Sequence, residues 1–377
     1  MSIRRVAVRS LGFVLATVAL AATVGCHGAG EWEPLTEQKI YVSDKFFDVA
    51  VMSPERAIVI GYGGKIIEST DGGFGWSQTD SGTHRSLYSI DFAPGNKVGW
   101  IVGEAGLVLK TTDGGKSWKQ QEAEVWLDSE CNDPEERRFR SLDRPCQYAY
   151  LFAVAVIDEQ NAAVIGDKSI YMRTRDGGDS WEIQTLKMDQ EMDPDLALAF
   201  EDPVLYDVEY LDANTGYIVG EFGKIYHTSD GGETWEQQQA SVMDASVLDI
   251  LDLPTFFDIE FGDANNGIVC GLDGRIASTS DGGKDWNFVK SNVAEYIDPF
   301  YSATILGNGD RWVVGSSGQA LMSTGNGEFA RGDLGSQVNN WMRRVRFYDD
   351  DNGWIVGGFG FVMSTDDGGK TWYRRIG

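Results

Sequence analysis

The residues with the clearest chemical potential are acids at alternate positions of two short apolar runs, Asp207 and Glu209 in Tyr206-Asp207-Val208-Glu209-Tyr210, and Asp258 and Glu260 in Phe257-Asp258-Ile259-Glu260-Phe261. Alternation with period two puts both acids of a run on one face of a strand. Two such strands side by side would bring carboxylates together, and glycoside hydrolysis needs a carboxylate pair about 5 to 9.5 Å apart. Solvated lining of a channel accounts for the same pattern. A second set of acids, Asp71, Asp113, Asp176, Asp230, Asp281 and Asp367, each precedes two glycines, as in Thr228-Ser229-Asp230-Gly231-Gly232-Glu233-Thr234-Trp235. An aspartate heading a tight turn can accept hydrogen bonds from amides two and three residues on, while glycine supplies positive φ. Recurrence along the whole chain assigns these acids to structure, because six copies cannot all be one active site. The three histidines, His27, His84 and His227, are not at ligand spacing with cysteines, so no metal centre and no cofactor are expected. No nucleophile-elbow motif supports a serine triad.

These acids sit in a repeat. Lined up by their closing turns, the copies are Arg56 to Trp76, Val98 to Trp118, Asn161 to Trp181, Asn214 to Trp235, Asn266 to Trp286, a degenerate Asp310 to Phe329, and Asn352 to Trp372. Each copy carries signals for four strands: an alternating run A upstream, the Tyr217-Ile218-Val219-Gly220 type of strand B, strand C before the Asp-Gly-Gly turn, and strand D from the tryptophan. Seven units of four antiparallel strands with short turns predict an all-β chain, a seven-bladed β-propeller of four-stranded antiparallel blades. A further D-like strand, Trp32 to Leu35, precedes blade one and is expected to pair with blade seven beside or instead of Trp372 to Ile376.

The spacing between tryptophans grows where residues are inserted between strand D and the next strand A: Glu122 to Tyr148, Met188 to Pro203, Ser241 to Pro254 and Ser291 to Pro299. In a propeller the D-to-A and B-to-C connections share one face, so these insertions decorate one rim of the disc. Long loops on one face of a rigid scaffold are where binding is expected.

The start of the chain reads as an export signal. Arg4, Arg5 and Arg9 are followed by the apolar run Leu11 to Val24, too short for the roughly 20 apolar residues of a membrane span. Thr23-Val24-Gly25-Cys26 is similar to the lipobox of bacterial lipoproteins, with Thr23 where leucine is usual. The organisation expected is therefore a signal peptide at 1–25, a lipidated linker at 26–31 beginning with Cys26, and the propeller at 32–377. The net charge of −26 becomes more negative once the three leader arginines are removed, which excludes nucleic acid as a partner. Cys131 and Cys146 flank the core of the longest insertion and are expected to form a disulfide, permitted in an exported protein and contributing roughly 3 kcal/mol in the chain-entropy account. Cys270 takes the place of valine in strand B and is expected to be a small buried apolar residue.

The turn Ser/Thr-x-Asp-x-Gly-x-Ser/Thr-Trp is the Asp box, or BNR repeat, shared by sialidases and other propellers. A sialidase-like site needs an arginine cluster and opens with Arg-Ile-Pro in the first blade. No Arg-Ile-Pro occurs here, and Arg56 is the only arginine between Glu31 and His84. The chain from Trp32 to Ile376 resembles the photosystem II stability/assembly factor family of propellers, on its repeated (W/Y)-I-V-G-x-x-G…[ST]-x-D-G-G-x-[ST]-W unit, its count of seven and its lipoprotein-like start. The resemblance implies a non-enzymatic, monomeric, lipid-anchored propeller facing the periplasm, or the thylakoid lumen in a photosynthetic host. Its implied partner is a membrane-associated protein, a subunit of a complex under assembly. It also implies an arginine-rich binding patch, for which the candidates are Arg343, Arg344 and Arg346 in the seventh strand A, and Arg137, Arg138, Arg140 and Arg144 in the longest insertion. The alternative expectation is a glycan-binding or sialidase-like glycoside hydrolase propeller acting through the strand A carboxylates.

Overall fold

The protein was analysed as a computed structural model, which describes residues 38–123, 125–140, 145–186, 202–238, 253–289 and 298–375. The export signal, Cys26, the Trp32–Leu35 strand, Arg144 and most of the later insertions lie outside the described residues. Lys39–Gly377 forms one compact unit. It contains seven four-stranded sheets, each contiguous in sequence and ordered A-B-C-D. The inner strands A are Phe46–Val51, Leu87–Phe92, Leu151–Val156, Leu205–Tyr210, Phe256–Phe261, Phe300–Ile305 and Met342–Phe347. Strands B follow as Ala57–Gly61, Gly99–Gly103, Ala162–Gly166, Gly216–Gly220, Gly267–Gly271, Arg311–Gly315 and Asn352–Gly357, and every residue of the first six is buried. This burial on both faces explains why strands B read as continuous Ile-Val runs while strands A alternate. The outer strand of blade seven is Tyr373–Arg374; the Trp32–Leu35 strand expected beside or instead of it lies outside the described residues. Blade one meets blade seven through side-chain packing, where Ile40, Phe46 and Val59 share a cluster with Trp354 and Val356, and through backbone contacts, the Gly360 amide donating to the Asp44 carbonyl at 2.9 Å.

The Asp box works in a different register from the one expected. The Gly232 amide donates to Thr228 Oγ1 (2.9 Å), the Thr228 hydroxyl donates to Asp230 Oδ1 (2.8 Å), and Asp230 Oδ1 takes the amide of Thr234, four residues on (2.9 Å). The threonine hydroxyl has occupied the amide two residues after the aspartate, which pushes the carboxylate's acceptor role to the end of the turn. The same pattern holds at Asp113, Asp176, Asp281 and Asp367. At Asp71 the carboxylate accepts from both Phe74 and Gly75.

The box also joins blades. The carbonyl of its first glycine accepts from the preceding blade: Gly231 from Arg173, Gly177 from Lys110, Gly282 from Tyr217. The second glycine leaves room for that blade's side chain. A Cβ at Gly232, whose φ is +81°, would lie 2.1 Å from the Tyr171 hydroxyl. Tyr171 in turn meets Trp235 edge-on at 5.3 Å, and Trp76 meets Trp354 at 5.8 Å across the closure of the ring. Degenerate blade six keeps the fold with substitutes: Asp310 accepts the Gly325 amide (3.0 Å), and buried Phe329 replaces tryptophan.

Replacing Thr228 by Val strips the buried Gly232 amide of its acceptor, and is expected to lower unfolding free energy by about 1–3 kcal/mol. Thr228→Ser should retain most of it. Denaturant unfolding of the two variants against the parent checks this, and equal losses from both would remove the hydroxyl from the account.

Candidate functional site

The centre of the disc is built from three layers of strand A side chains. Each strand A begins with a β-bulge in which two residues oppose one glycine at the end of strand B: Phe46 pairs with Gly61 and Asp48 with Ile60, leaving Phe47 unpaired. The bulge recurs in all seven blades. It also explains the glycine of each Ile-Val-Gly run, since a Cβ at Gly61 would fall 2.1 Å from the Lys45 carbonyl oxygen and one at Gly271 1.8 Å from that of Thr255. The bulged residues are Phe47, Tyr88, Phe152, Tyr206, Phe257, Tyr301 and Arg343, and together they line one cavity of about 250 Å³ at the mouth of the channel. This mouth lies at the N-terminal ends of strands A, on the face that carries the D-to-A connections and hence the insertions. Around the collar each ring meets the next: Phe47 and Tyr88 at 5.5 Å, Tyr88 and Phe152 at 5.7 Å, Phe152 and Tyr206 at 5.6 Å, Tyr206 and Phe257 at 5.0 Å, Phe257 and Tyr301 at 5.8 Å. Arg343 completes it, its guanidinium 5.9 Å from the Tyr301 ring centre and donating to the Tyr301 carbonyl at 3.0 Å.

The second layer is Asp48, Ser89, Ala153, Asp207, Asp258, Ser302 and Arg344. Its acceptors reach sideways to the next inner strand: the Ile90 amide donates to Asp48 (3.0 Å), Val154 to Ser89 (3.3 Å), Ile259 to Asp207 (3.1 Å), Ala303 to Asp258 (2.7 Å) and Val345 to Ser302 (3.2 Å). Ala153 has no acceptor to offer. Arg344 closes the circle, donating to Asp258, with its Nε 3.0 Å from Asp48 Oδ1 and its Nη1 3.8 Å from Asp207. The Asp48 contact is an ion pair rather than an aligned hydrogen bond, because the Nε–H has no acceptor in line. In the third layer Arg346 binds Glu260 Oε2 (2.8 Å) and the Val156 amide donates to Asp91 (2.6 Å). A cavity of about 310 Å³ opens from this layer, lined by Asp91, Asp207, Glu209, Glu260 and Arg346 among others.

Electrostatics follow from this crowding. Burial pushes Asp207 and Glu209 well above the usual carboxylate range, with Asp258 and Glu260 respectively adding repulsion. Burial acts on Asp258 too, but Arg344 and Arg346 outweigh it and hold that carboxyl down. Burial raises Asp91 to about 6.

The expected arginine patch is therefore divided. Arg344, only 2 % exposed, faces inward and is consumed by channel carboxylates, as is Arg346 by Glu260. Both positions alternate into the channel, where Arg344 is buried and Arg346, 27 % exposed, lines the cavity of the third layer. Arg343 is set apart by the bulge and forms no ion pair among the described residues. In the longest insertion, the disulfide Cys131–Cys146 is present with Cα atoms 5.9 Å apart, next to a short helix α1, Pro134–Phe139. Arg140 is held by Asp128 and Glu130, Arg137 lies over Trp126 at 4.9 Å, and Trp126 stacks on Tyr148 at 3.9 Å. Arg138 is exposed. Cys270 is fully buried and unpaired. The collar was missed in the sequence, although its signal was there: the residue just before each channel position is aromatic in six strands and arginine in the seventh. Among the described residues no group of acids, histidines or cysteines is arranged to hold a metal, and no helix is long and apolar enough to cross a membrane.

Fold and site together define a seven-bladed Asp-box propeller whose channel acids are bound up in joints between blades. The sequence profile of the family described as Photosynthesis system II assembly factor YCF48 matches residues 28–134, 194–250 and 245–339, and this chain belongs to that family. The Photosystem II assembly lipoprotein Ycf48 of Synechococcus sp. (strain CC9902) is 25 % identical over 248 residues, covering 62 % of this chain and 64 % of that protein. The Photosystem II assembly protein Ycf48 of Thermosynechococcus vestitus is 24 % identical over 266 residues, covering 60 % and 72 %. Among solved structures, one described as YCF48 bound to D1 peptide superposes with a TM-score of 0.62 at 20 % identity over 86 % of this chain and 92 % of that one. A xyloglucanase from Xanthomonas campestris reaches 0.60 at 10 % identity over 89 % and 55 %. At these identities both structures speak for the fold alone.

Two outcomes follow from the channel. Arg344→Met leaves buried Asp48 and Asp258 without their cation and is expected to cost about 3–5 kcal/mol in denaturant unfolding. A second change, Asp258→Asn, should restore part of that loss. The pH profile of stability has two limbs. Hydrogen bonds from Ser117, Ser180 and Thr234 hold Asp113, Asp176 and Asp230 at about 2, so their contribution is present above the unfolded value near 4 and is lost as pH falls from about 4 to about 2. Asp91 is displaced the other way, so the fold keeps its proton where the unfolded chain ionises, and stability falls as pH rises from about 4 to about 6, by up to about 3 kcal/mol. Melting temperatures across pH 2–8 should peak between these limbs, and Asp91→Asn should make the upper one shallower, leaving the part that Asp207 and Glu209 contribute.

Proposed function

We propose that this protein is a non-enzymatic assembly factor, exported and tethered to a membrane through lipid on Cys26, that binds a segment of a membrane-complex subunit on its insertion-bearing face. The observation that carries this reading is the match of the assembly-factor family to stretches in both halves of the ring, from residue 28 to residue 339. The names of the curated relatives, assembly lipoproteins and an assembly protein of photosystem II, fit the same role, as does a relative in the family solved with a D1 peptide. The Cys131–Cys146 bridge suits an oxidising compartment outside the cytoplasm. Of the candidate arginines, we assign Arg343 and Arg138, with Arg144, to the partner. Arg344, Arg346, Arg137 and Arg140 hold the protein's own carboxylates and rings. The glycosidase alternative would have to free carboxylates that already serve as acceptors for neighbouring amides and arginines.

Affinity capture from detergent-solubilised native membranes, read by mass spectrometry, tests this. Parent protein should enrich a membrane-complex subunit that the Arg138→Glu, Arg343→Glu double variant does not. Identical capture by both, or turnover of fluorogenic glycosides that disappears in Asp207→Asn and in Glu260→Gln, would overturn it.

A further inference from the structure

Six aromatic rings in mutual contact make the mouth of the channel apolar, and Arg343 is set into that wall as a cation. The other two arginines of its strand each hold carboxylates, whereas Arg343 donates only to a backbone carbonyl and leans on one ring. Arg343 is part-buried, burial and neighbouring Arg344 pull its pKa down, and among the described residues its ion-pairing capacity is unspent. Such a wall attracts an anion that brings its own apolar body. Size narrows the choice further. Sites that enclose a whole small molecule run to about 300–1,000 Å³. The collar, at about 250 Å³ and open to the face, has room for one large side chain, with the remainder of its owner lying outside on the rim. A site of that shape serves as an anchor pocket for a polypeptide.

We propose that the collar of Phe47, Tyr88, Phe152, Tyr206, Phe257, Tyr301 and Arg343 is a peptide-anchor site, taking an apolar side chain whose own or adjacent residue carries a carboxylate that pairs with Arg343. The proposal rests on the protein-binding role above and specifies which part of the partner is gripped. The rings supply contact area around the inserted side chain, edge-on and stacked as they already meet one another. Arg343 supplies selectivity, because a neutral analogue covers the part-buried guanidinium without giving it a carboxylate. The second layer blocks deeper entry: Arg344 and Asp258 fill the axis just beneath, both buried. The inserted group is therefore short, one side chain deep, and the chain that bears it runs across the face instead of threading the disc.

The test uses the soluble propeller and two fluorine-labelled tetrapeptides, acetyl-Gly-(4-fluoro-Phe)-Asp-Gly-amide and its Asn counterpart, with binding read from fluorine line broadening. The acidic probe should bind about tenfold tighter than the neutral one, the discrimination of one charge-assisted pair. Arg343→Gln should abolish that difference while Arg343→Lys keeps part of it, and Tyr206→Ala should weaken both probes alike. Equal binding of the two probes to the parent, or an unchanged preference in Arg343→Gln, would overturn the proposal. A third probe, the acid with a C-terminal fluoro-Phe and no Asp, separates a chain-terminal carboxylate from a side-chain one. Failure here is distinguishable from failure of the assembly role: membrane capture by a parent protein that binds neither probe keeps the protein-binding function and refutes the collar. Probe binding without any captured subunit does the reverse.

Discussion

The joint between neighbouring inner strands is the constraint from which the rest of this disc follows. Inner strands of adjacent blades diverge around an axis and form no ladder with one another, so their facing amides need partners from elsewhere. Asp48, Ser89, Asp207, Asp258 and Ser302 supply them, each taking an amide of the next strand. Two joints have no such acceptor: Ala153 stands in that place in the third strand, and Arg344 in the seventh. An ion pair to Asp48 and a hydrogen bond to Asp258 close the circle from the cationic side. Acids that could have been reagents are thereby committed to architecture. One arginine inside a ring of acids also offsets charge that would otherwise repel in a poorly hydrated space.

A second set of joints lies at the periphery. The Asp box folds its own turn and presents a glycine carbonyl and a tryptophan edge to the preceding blade. Blades are thus held near the axis by carboxylates and near the rim by the turns, with buried Ile and Val of strands B between. Rigidity achieved twice over leaves the D-to-A connections free to vary in length, which they do. The disulfide-bridged insertion at Cys131–Cys146 is one of these, stabilised by its own Trp126–Tyr148 stack. Departures from the repeat are therefore concentrated on one face, and the collar opens on that same face.

Much of the architecture was legible because a repeat reports itself seven times. The period, the alternation in strands A and the Asp-Gly-Gly turns each predict one blade, and seven copies predict the ring. The Asp box was legible in kind but not in register, since which amide the carboxylate accepts depends on a competing hydroxyl two residues earlier. The arginines were legible as an anomaly in strand A of blade seven, yet their three fates were not. Residues 343, 344 and 346 look alike in a sequence, and a one-residue bulge decides that the first faces the mouth while the others face the acids.

The sequence by itself determined what is local and repeated: the strand order of each blade, the turns, the buried Ile-Val-Gly strands and the number of blades. Those properties follow from side-chain period and glycine conformation within about 45 residues, where neighbours in the chain are neighbours in space. Only the tertiary structure decided what the centre of the disc is. The collar takes one residue from each of seven blades, and the Arg344–Asp48 closure joins residues near opposite ends of the chain. Whether an acid is reagent or mortar, and whether an arginine is presented or spent, depends on which side chains the closed ring sets opposite it, and period and spacing along the chain do not encode that.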